Sequence, residues 1–293
     1  MKKILFFAAF LMTLHASAAI SVRDDNGNAV TLQRPAQRIV TLAPHATELV
    51  FAAGGGERIV GTVGYSDYPP AALAIPRVGD HKQLDIERII ALKPDLLVVW
   101  LHGNAERQLD HLRKLGIPLY YSEPHKLDSI ADSVSRLGEL MGTQQQAEKS
   151  AAQMRQELAR LATQYRARPP VRVFYQVWGR PLYTLNGTHI ISDVLRLCGG
   201  ENIFAKLTIT APTVSIEAVL AENPEVLITG ARRNKTREGL EIWEQYTTLQ
   251  AVQRNNLFAI DGDLLSRAGP RLIAGAAVVC EKLELARSRR GAR

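Results

Sequence analysis

Two segments of this chain repeat one another. Ile86-Glu-Arg-Ile-Ile-Ala-Leu-Lys-Pro-Asp-Leu-Leu-Val98 lines up with Ile216-Glu-Ala-Val-Leu-Ala-Glu-Asn-Pro-Glu-Val-Leu-Ile228, and Ile, Glu, Ala, Pro and Leu coincide. Each reads as a short helix, a Pro break and a buried strand. A second echo comes earlier in each half, where Gly55-Gly56-Glu57-Arg-Ile59 matches Gly199-Gly200-Glu201-Asn-Ile203. Two echoes in the same order point to a duplicated unit, and a duplicated unit restricts the chain to two similar lobes.

Between the copies lies Thr143 to Arg168, which reads as one long helix with no partner helix close in sequence. Ala147, Ala151, Met154, Leu158, Leu161 and Tyr165 alternate steps of four and three, so they share one stripe. Thr143 and Gln146 have the capping-box pattern, and Pro169-Pro170 stops the helix. Some two dozen residues span roughly 35 Å. The helix is therefore read as a spine joining lobes 19–142 and 169–293.

Within each lobe, strands alternate with helices. Ile20 to Leu32 is a hairpin turning at Asp-Asn-Gly-Asn. Strands are expected at 38–42, 59–63, 95–100 and 117–121, with helices at 47–53, 85–92, 105–114 and 127–141. Pro44-His45 falls in a loop. After the spine, strands are expected at 171–178, 225–229 and 259–260, with helices at 189–198, 215–221 and 271–286; 261–270 is a loop. This order argues an α/β fold with two Rossmann-like lobes and mostly parallel sheets.

Residues 1–18 read as a signal peptide. Lys2 and Lys3 precede the apolar run Ile4–Leu14, and Ala16-Ser17-Ala18 supplies a cleavage site. The run is too short to span a bilayer comfortably. Export places the chain in an oxidising compartment, where its two cysteines, Cys198 and Cys280, read as a disulfide closing a loop of about eighty residues. The formal charge of +7 is mild for 293 residues. Arg232-Arg233 with Lys235, and the basic tail from Arg287, read as a solvated loop and a frayed terminus. No basic stripe interleaved with aromatics suggests nucleic acid.

Ligands of open parallel sheets bind beyond the carboxyl ends of the strands. The loops there carry Pro44-His45, Tyr65, Tyr68, His81 and Trp100 to Gly103 in the first lobe. In the second they carry Trp178 to Tyr183, Thr210 to Thr213 and Asp263 to Arg267. Aromatics with few carboxylates suit a large, flat, partly apolar ligand. GxSxG, HExxH, Walker and GxGxxG patterns are absent, and no tight carboxylate pair suggests acid–base work. His45, His81 and His102 sit on three loops at one sheet edge, but are read as lacking a common target rather than as a metal site.

Arg38-Ile-Val-Thr-Leu-Ala-Pro with Thr47-Glu48 resembles the helical-backbone (class III) periplasmic substrate-binding superfamily at large, whose iron-siderophore, haem and cobalamin binders share it, and Tyr65-Ser-Asp-Tyr-Pro-Pro70, Gly103-Asn-Ala-Glu-Arg-Gln108 and Cys198-Gly-Gly-Glu-Asn-Ile-Phe204 resemble its cobalamin-binding branch. The resemblance spans nearly all of the chain beyond residue 18. It implies a periplasmic binder, not an enzyme, that holds cobalamin as transported cargo and uses no cofactor. It implies a Cys198–Cys280 bridge, and ligand contacts from Tyr65, Trp100, Asp263 and Arg267. Glu87 and Glu217 would dock onto an ABC transporter permease dimer, and a monomer is expected. His81 and Ala211 stand where the best-known member has tryptophans, and Leu264-Leu265 where it has aromatics. Trp178 and Tyr183 are read as supplying compensating area, and His81 as a ligand-facing residue able to approach a bound metal. The rival readings are a haem or iron-siderophore binder of the same superfamily and a chelatase-like enzyme.

Overall fold

A computed structural model describes residues 19–80, 83–231 and 239–291. The first lobe contains β1 (Ile20–Arg23), β2 (Ala29–Leu32), β3 (Ile39–Thr41), α1 (Pro44–Ala52), β4 (Ile59–Thr62), α2 (Ile86–Ala91), β5 (Leu96–Trp100), α3 (Glu106–Lys114), β6 (Leu119–Ser122) and α4 (Leu127–Met141). Helix α5 (Gln144–Tyr165) follows. The second lobe contains β7 (Val171–Gln176), β8 (Trp178–Gly179), β9 (Leu182–Tyr183), α6 (Ile190–Leu197), β10 (Gly200–Asn202), α7 (Ile216–Glu222), β11 (Val226–Ala231), α8 (Gln250–Gln253), β12 (Leu257–Asp261), α9 (Gly262–Leu265) and α10 (Arg271–Ser288).

Each lobe is built on a four-stranded parallel sheet, in the orders β4-β3-β5-β6 and β10-β7-β11-β12. Numbered by sequence within its lobe, each sheet runs second, first, third, fourth. The two echoed segments therefore occupy equivalent positions. Asp85 and Ser215 cap α2 and α7 by accepting from Arg88 N–H and Ala218 N–H. Lys93 and Asn223 then turn the chain with φ of 47° and 44° before the paired prolines. Asp95 and Glu225 each donate their backbone N–H to the first strand of their sheet, at Arg38 O and Arg172 O.

The family-like motif near β3 has a local physical role. The buried hydroxyls of Thr41, Thr47 and Thr62 lie within 2.7–2.9 Å of one another, tying β3, α1 and β4 together. α1 begins at Pro44, so Pro44-His45 is its first turn and not a loop. A proline there loses no helical bond, because the first N–H groups of a helix are unpaired anyway.

The stripe on α5 is buried at Ala147, Ala151, Leu158, Leu161 and Tyr165, with Met154 half-buried. α5 packs on α1 and α4 of the first lobe and on α6 and α10 of the second. One apolar cluster runs from Leu49 and Leu140 through Ala151 and Leu158 to Val194 and Leu283, so the core is continuous across the lobe boundary. α5 does have a partner helix close in sequence, contrary to expectation. Gly142, at φ 67°, reverses the chain between α4 and α5, and Gly138 lets the two approach. Nor does Thr143 close a capping box. Its hydroxyl donates to Ala53 O at 2.6 Å, fastening the helix start to α1 instead.

Three further elements differ from expectation. β7 ends at Gln176, and Trp178–Gly179 pairs with Leu182–Tyr183 as a small hairpin. Gly200–Asn202 forms an edge strand beside β7, and Gly262–Leu265 forms a helical turn inside the expected loop. Cys198 and Cys280 are bonded, linking the end of α6 to α10. The expected signal peptide and His81 lie outside the described residues.

Candidate ligand-binding cleft

In both sheets the first strand is followed by a crossover to one side, and the third strand lies on the other. Loops leaving these neighbouring strands in opposite directions open a crevice at their carboxyl ends. Pro44-His45 leaves β3 and Trp100 ends β5. In the second lobe, Val177 to Gly179 leave β7, and Thr229 to Ala231 end β11. All of them line one of two adjoining cavities between the lobes, of about 880 Å3 and about 490 Å3. Tyr65, Asp263 and Ser266 line both, so the cavities form one cleft.

The larger cavity is walled mainly by the second lobe. Trp178 presents its ring there at 64% exposure, and its indole N–H donates to Arg180 O at 3.0 Å. Tyr65 faces it from the first lobe at 76% exposure, from a left-handed backbone position with φ 65°. Two exposed aromatics against a backbone-rich wall of Gly179, Gly230, Gly239 and Gly262 leave room for a broad planar ligand. Gln176 is fully buried behind this wall. Its side chain accepts from Trp243 Nε1 at 2.7 Å and donates to Gly239 O at 2.6 Å.

The smaller cavity is more enclosed and is lined by more ionisable side chains, among them His45, Glu123, His125, His189 and Arg267. Trp100 stands edge-on to His45, with ring centroids 5.7 Å apart. Nε2 of His45 lies 3.3 Å from Ser122 O, which places its proton on that nitrogen. Burial pushes this imidazole down to about 4, against the opposing pull of the Ser122 carbonyl and Glu123. His189 caps α6 by accepting from Ile191 N–H at 3.2 Å through Nδ1, so its neutral tautomer carries the proton on Nε2. Burial, helped by His125, also pushes His189 down to about 4.

Five charged side chains meet beside this cavity across the lobe boundary. Glu48 of α1 is 1% exposed and accepts from Arg267 Nη1 at 3.1 Å and from Arg271 Nη2 at 2.8 Å. Asp67 accepts from Arg267 at 2.7 Å, Asp263 lies 3.5 Å from Arg267 Nη2, and Arg271 stacks 4.3 Å from the centre of the Tyr68 ring. Burial works against ionisation of Asp67, but the Arg267 hydrogen bond and charge hold its carboxyl below its usual value.

The structure thus brings together Tyr65, Trp100, Trp178, Asp263 and Arg267 of the expected set. Tyr183 lines neither cavity; it stands opposite Trp178 in the hairpin. His102 turns to Glu123, with Nδ1 2.5 Å from its carboxylate, and lines neither cavity. Among the described residues no group of three or more His, Cys, Asp or Glu could hold a metal ion. Gln176, Glu123, His125, His189 and Glu48 were missed as site residues. Glu123 and His125 follow β6, so the strand-end rule that found Trp100 reaches them too. Glu87 and Glu217 are exposed in the first turns of α2 and α7. In a parallel α/β unit those turns face the carboxyl edge of the sheet, the side on which the cleft opens.

A family model described as periplasmic binding protein matches residues 39–264. The vitamin B12-binding protein of Vibrio cholerae serotype O1 is 42% identical over 252 residues, covering 86% of this chain and 91% of that protein. The crystal structure of the periplasmic vitamin B12-binding protein of Vibrio cholerae matches with a TM-score of 0.81 at 41% identity, covering 86% of this chain and 98% of that one. The periplasmic haem-binding protein of Roseiflexus sp. RS-1, in its apo form, matches with a TM-score of 0.74 at 26% identity, covering 85% and 99%. The expected two-lobe α/β fold holds, and the family is one of binding proteins, not enzymes. Matched over most of its length by the family model and by relatives at this identity, the chain belongs to the periplasmic binding protein family.

Proposed function

We propose that this chain captures a corrinoid in the inter-lobe cleft and delivers it, as cargo and not as cofactor, to an ABC importer. The observation that carries this reading is the cleft itself. Two exposed aromatics, Tyr65 and Trp178, face a crevice of about 880 Å3 on the scaffold shared with the Vibrio cholerae vitamin B12-binding protein. Tyr65, Trp100 and Trp178 pack against the corrin, Asp263 and Arg267 meet its polar edge, and Tyr183 braces Trp178 as its cross-strand neighbour in the hairpin. Because the core is continuous through α5, the cleft is largely preformed, which limits the ordering cost of binding.

Residues 1–18 export the chain to the periplasm, where it works as a monomer. Lobes 19–142 and 169–293, joined at 143–168, present Glu87 and Glu217 at equivalent positions, one in each lobe, an arrangement that suits the two matching subunits of a permease dimer. A haem-binding reading is favoured by solved haem-binding relatives such as that of Roseiflexus sp. RS-1, at 26% identity. Tryptophan fluorescence separates the two, since Trp100 and Trp178 line the cleft while Trp243 is buried elsewhere. Saturable quenching by cyanocobalamin at one equivalent supports the corrinoid reading. Quenching by haemin with none by cyanocobalamin overturns it.

A further inference from the structure

The first strand of each four-stranded sheet feeds an equivalent helix, β3 into α1 and β7, through its hairpin, into α6. The echoed segments Gly55–Ile59 and Gly199–Ile203 follow these two helices. Each helix opens on a histidine. His45 is the second residue of α1, and His189 caps α6. Both side chains line the smaller cavity, so opposite lobes bring one imidazole each to the same space.

The two rings are fixed in opposite senses. Nε2 of His45 lies 3.3 Å from the Ser122 carbonyl, which can only accept, so Nε2 carries the proton and Nδ1 is an acceptor. Among the described residues no hydrogen bond reaches that Nδ1. The residue is only 5% exposed, yet Nδ1 is not one of the enclosed polar atoms that lack a partner, so it opens to the cavity. His189 is the reverse case. Its Nδ1 accepts from Ile191 N–H at 3.2 Å, which leaves the proton on Nε2. That N–H also meets no acceptor among the described residues. With each imidazole pushed down to about 4, both stay uncharged at neutral pH. The cavity thus offers one neutral acceptor and one neutral donor, each held in place by a backbone partner on its other nitrogen.

A primary carboxamide answers both, because its N–H groups donate and its oxygen accepts. An ester or a carboxylate can only accept. Corrinoids carry carboxamides around the rim of the macrocycle.

We propose that His45 and His189 read the carboxamide rim of the bound corrin, His45 Nδ1 accepting an amide N–H and His189 Nε2–H donating to an amide oxygen. This inference rests on the corrinoid reading and deepens it.

The test titrates two probes, the dicyano heptaamide and the dicyano heptamethyl ester of cobyrinic acid, at pH 7. They share one corrin; the ester keeps every carbonyl oxygen and has no N–H. The wild type is expected to prefer the amide by about tenfold or more. His45→Phe should cut that preference about three- to tenfold, the worth of one neutral hydrogen bond, because the ester never used the acceptor. His45→Asn, which sets an amide oxygen near the place of Nδ1, should keep the preference. A purely structural role for His45 would weaken both probes alike and leave their ratio unchanged. His45→Ala takes the place of His45→Phe should the larger ring prevent folding. His189→Asn retains a capping acceptor but loses the donor, so it should weaken both probes by about three- to tenfold. His189→Gln, which returns an N–H near the place of Nε2, should restore them. Three outcomes overturn the inference and leave the corrinoid reading standing: a wild-type preference below about threefold, a preference unmoved when the His45 acceptor is removed, or a His189→Asn affinity that is unchanged or not restored by His189→Gln. A wild type that binds neither corrin overturns the corrinoid reading and the inference with it.

Discussion

Glu48 Oε1 lies 2.8 Å from Arg271 Nη2, joining α1 of the first lobe to α10 of the second. Glu48 is 1% exposed, and the pair holds because both guanidiniums meet one carboxylate. Removing the carboxylate leaves the two arginines with only the more exposed Asp67 and Asp263 as counter-charges. Breaking a buried pair from one side typically destabilises by about 3–5 kcal/mol. Glu48→Ala is expected to fall at the lower end of that range, about 3 kcal/mol, because Asp67 and Asp263 remain. Urea unfolding of the ligand-free chain measures it, and a change below about 1 kcal/mol would show that the pair adds little.

Buried His45 and half-buried His189 predict an acid-sensitive fold around the cleft. Folded, His45 and His189 stay neutral down to about pH 4; unfolded, they protonate near pH 6.5. Unfolding therefore takes up protons between those values. The stability contributed above pH 6.5 is lost as pH falls toward 4, at roughly 1.4 kcal/mol per pH unit for each imidazole. Urea midpoints at pH 7 and pH 5 should separate accordingly. His189→Asn keeps a capping acceptor at the head of α6 and should remove its own share of the slope. An unchanged slope in that variant would contradict the assignment.

Helices α4 and α5 meet where Gly138 has no side chain. A Cβ built there would lie 2.2 Å from Ala147 Cβ, between two helices that cannot both stay in place. Gly138→Val should lower stability by about 2–3 kcal/mol or more through overpacking. It should also weaken ligand binding, because α5 carries the core across the boundary. Full stability would mean that the helices part without consequence.

Glu87 and Glu217 stand at equivalent places in the two lobes, and neither lines the cleft. Replacing both by alanine should leave corrinoid affinity within about threefold while reducing uptake by an intact importer by more than tenfold, since docking and capture use different surfaces. Equal loss of affinity and uptake would assign the pair to ligand binding. Unimpaired uptake would remove their docking role.

Much of the fold was legible because it repeats. The helix–Pro–strand segments at Ile86 and Ile216, and the stripe on α5, are local patterns that period and propensity reveal. What escaped depended on contacts distant in sequence or on weak local preference. Gly200–Asn202 has no strand-forming composition; it pairs with β7 because Gly200 fits closely under Leu283. Leu127–Met141 was legible as a helix with its observed bounds, but its pairing with α5 depends on the left-handed turn at Gly142. Within the cleft, aromatic strand ends such as Trp100 announced themselves. The Glu48–Arg271 contact joins residues 223 positions apart, and nothing local in either segment marks it.

Calorimetric titration of residues 19–293 with cyanocobalamin, beside the double variant Tyr65→Ala/Trp178→Ala, tests capture in the cleft most directly. One site per chain is expected in the wild type. The double variant should bind about five- to 150-fold more weakly, since losing two stacking rings removes about 1–3 kcal/mol. No heat with cyanocobalamin, or a double variant that binds as tightly as the wild type, would contradict the account.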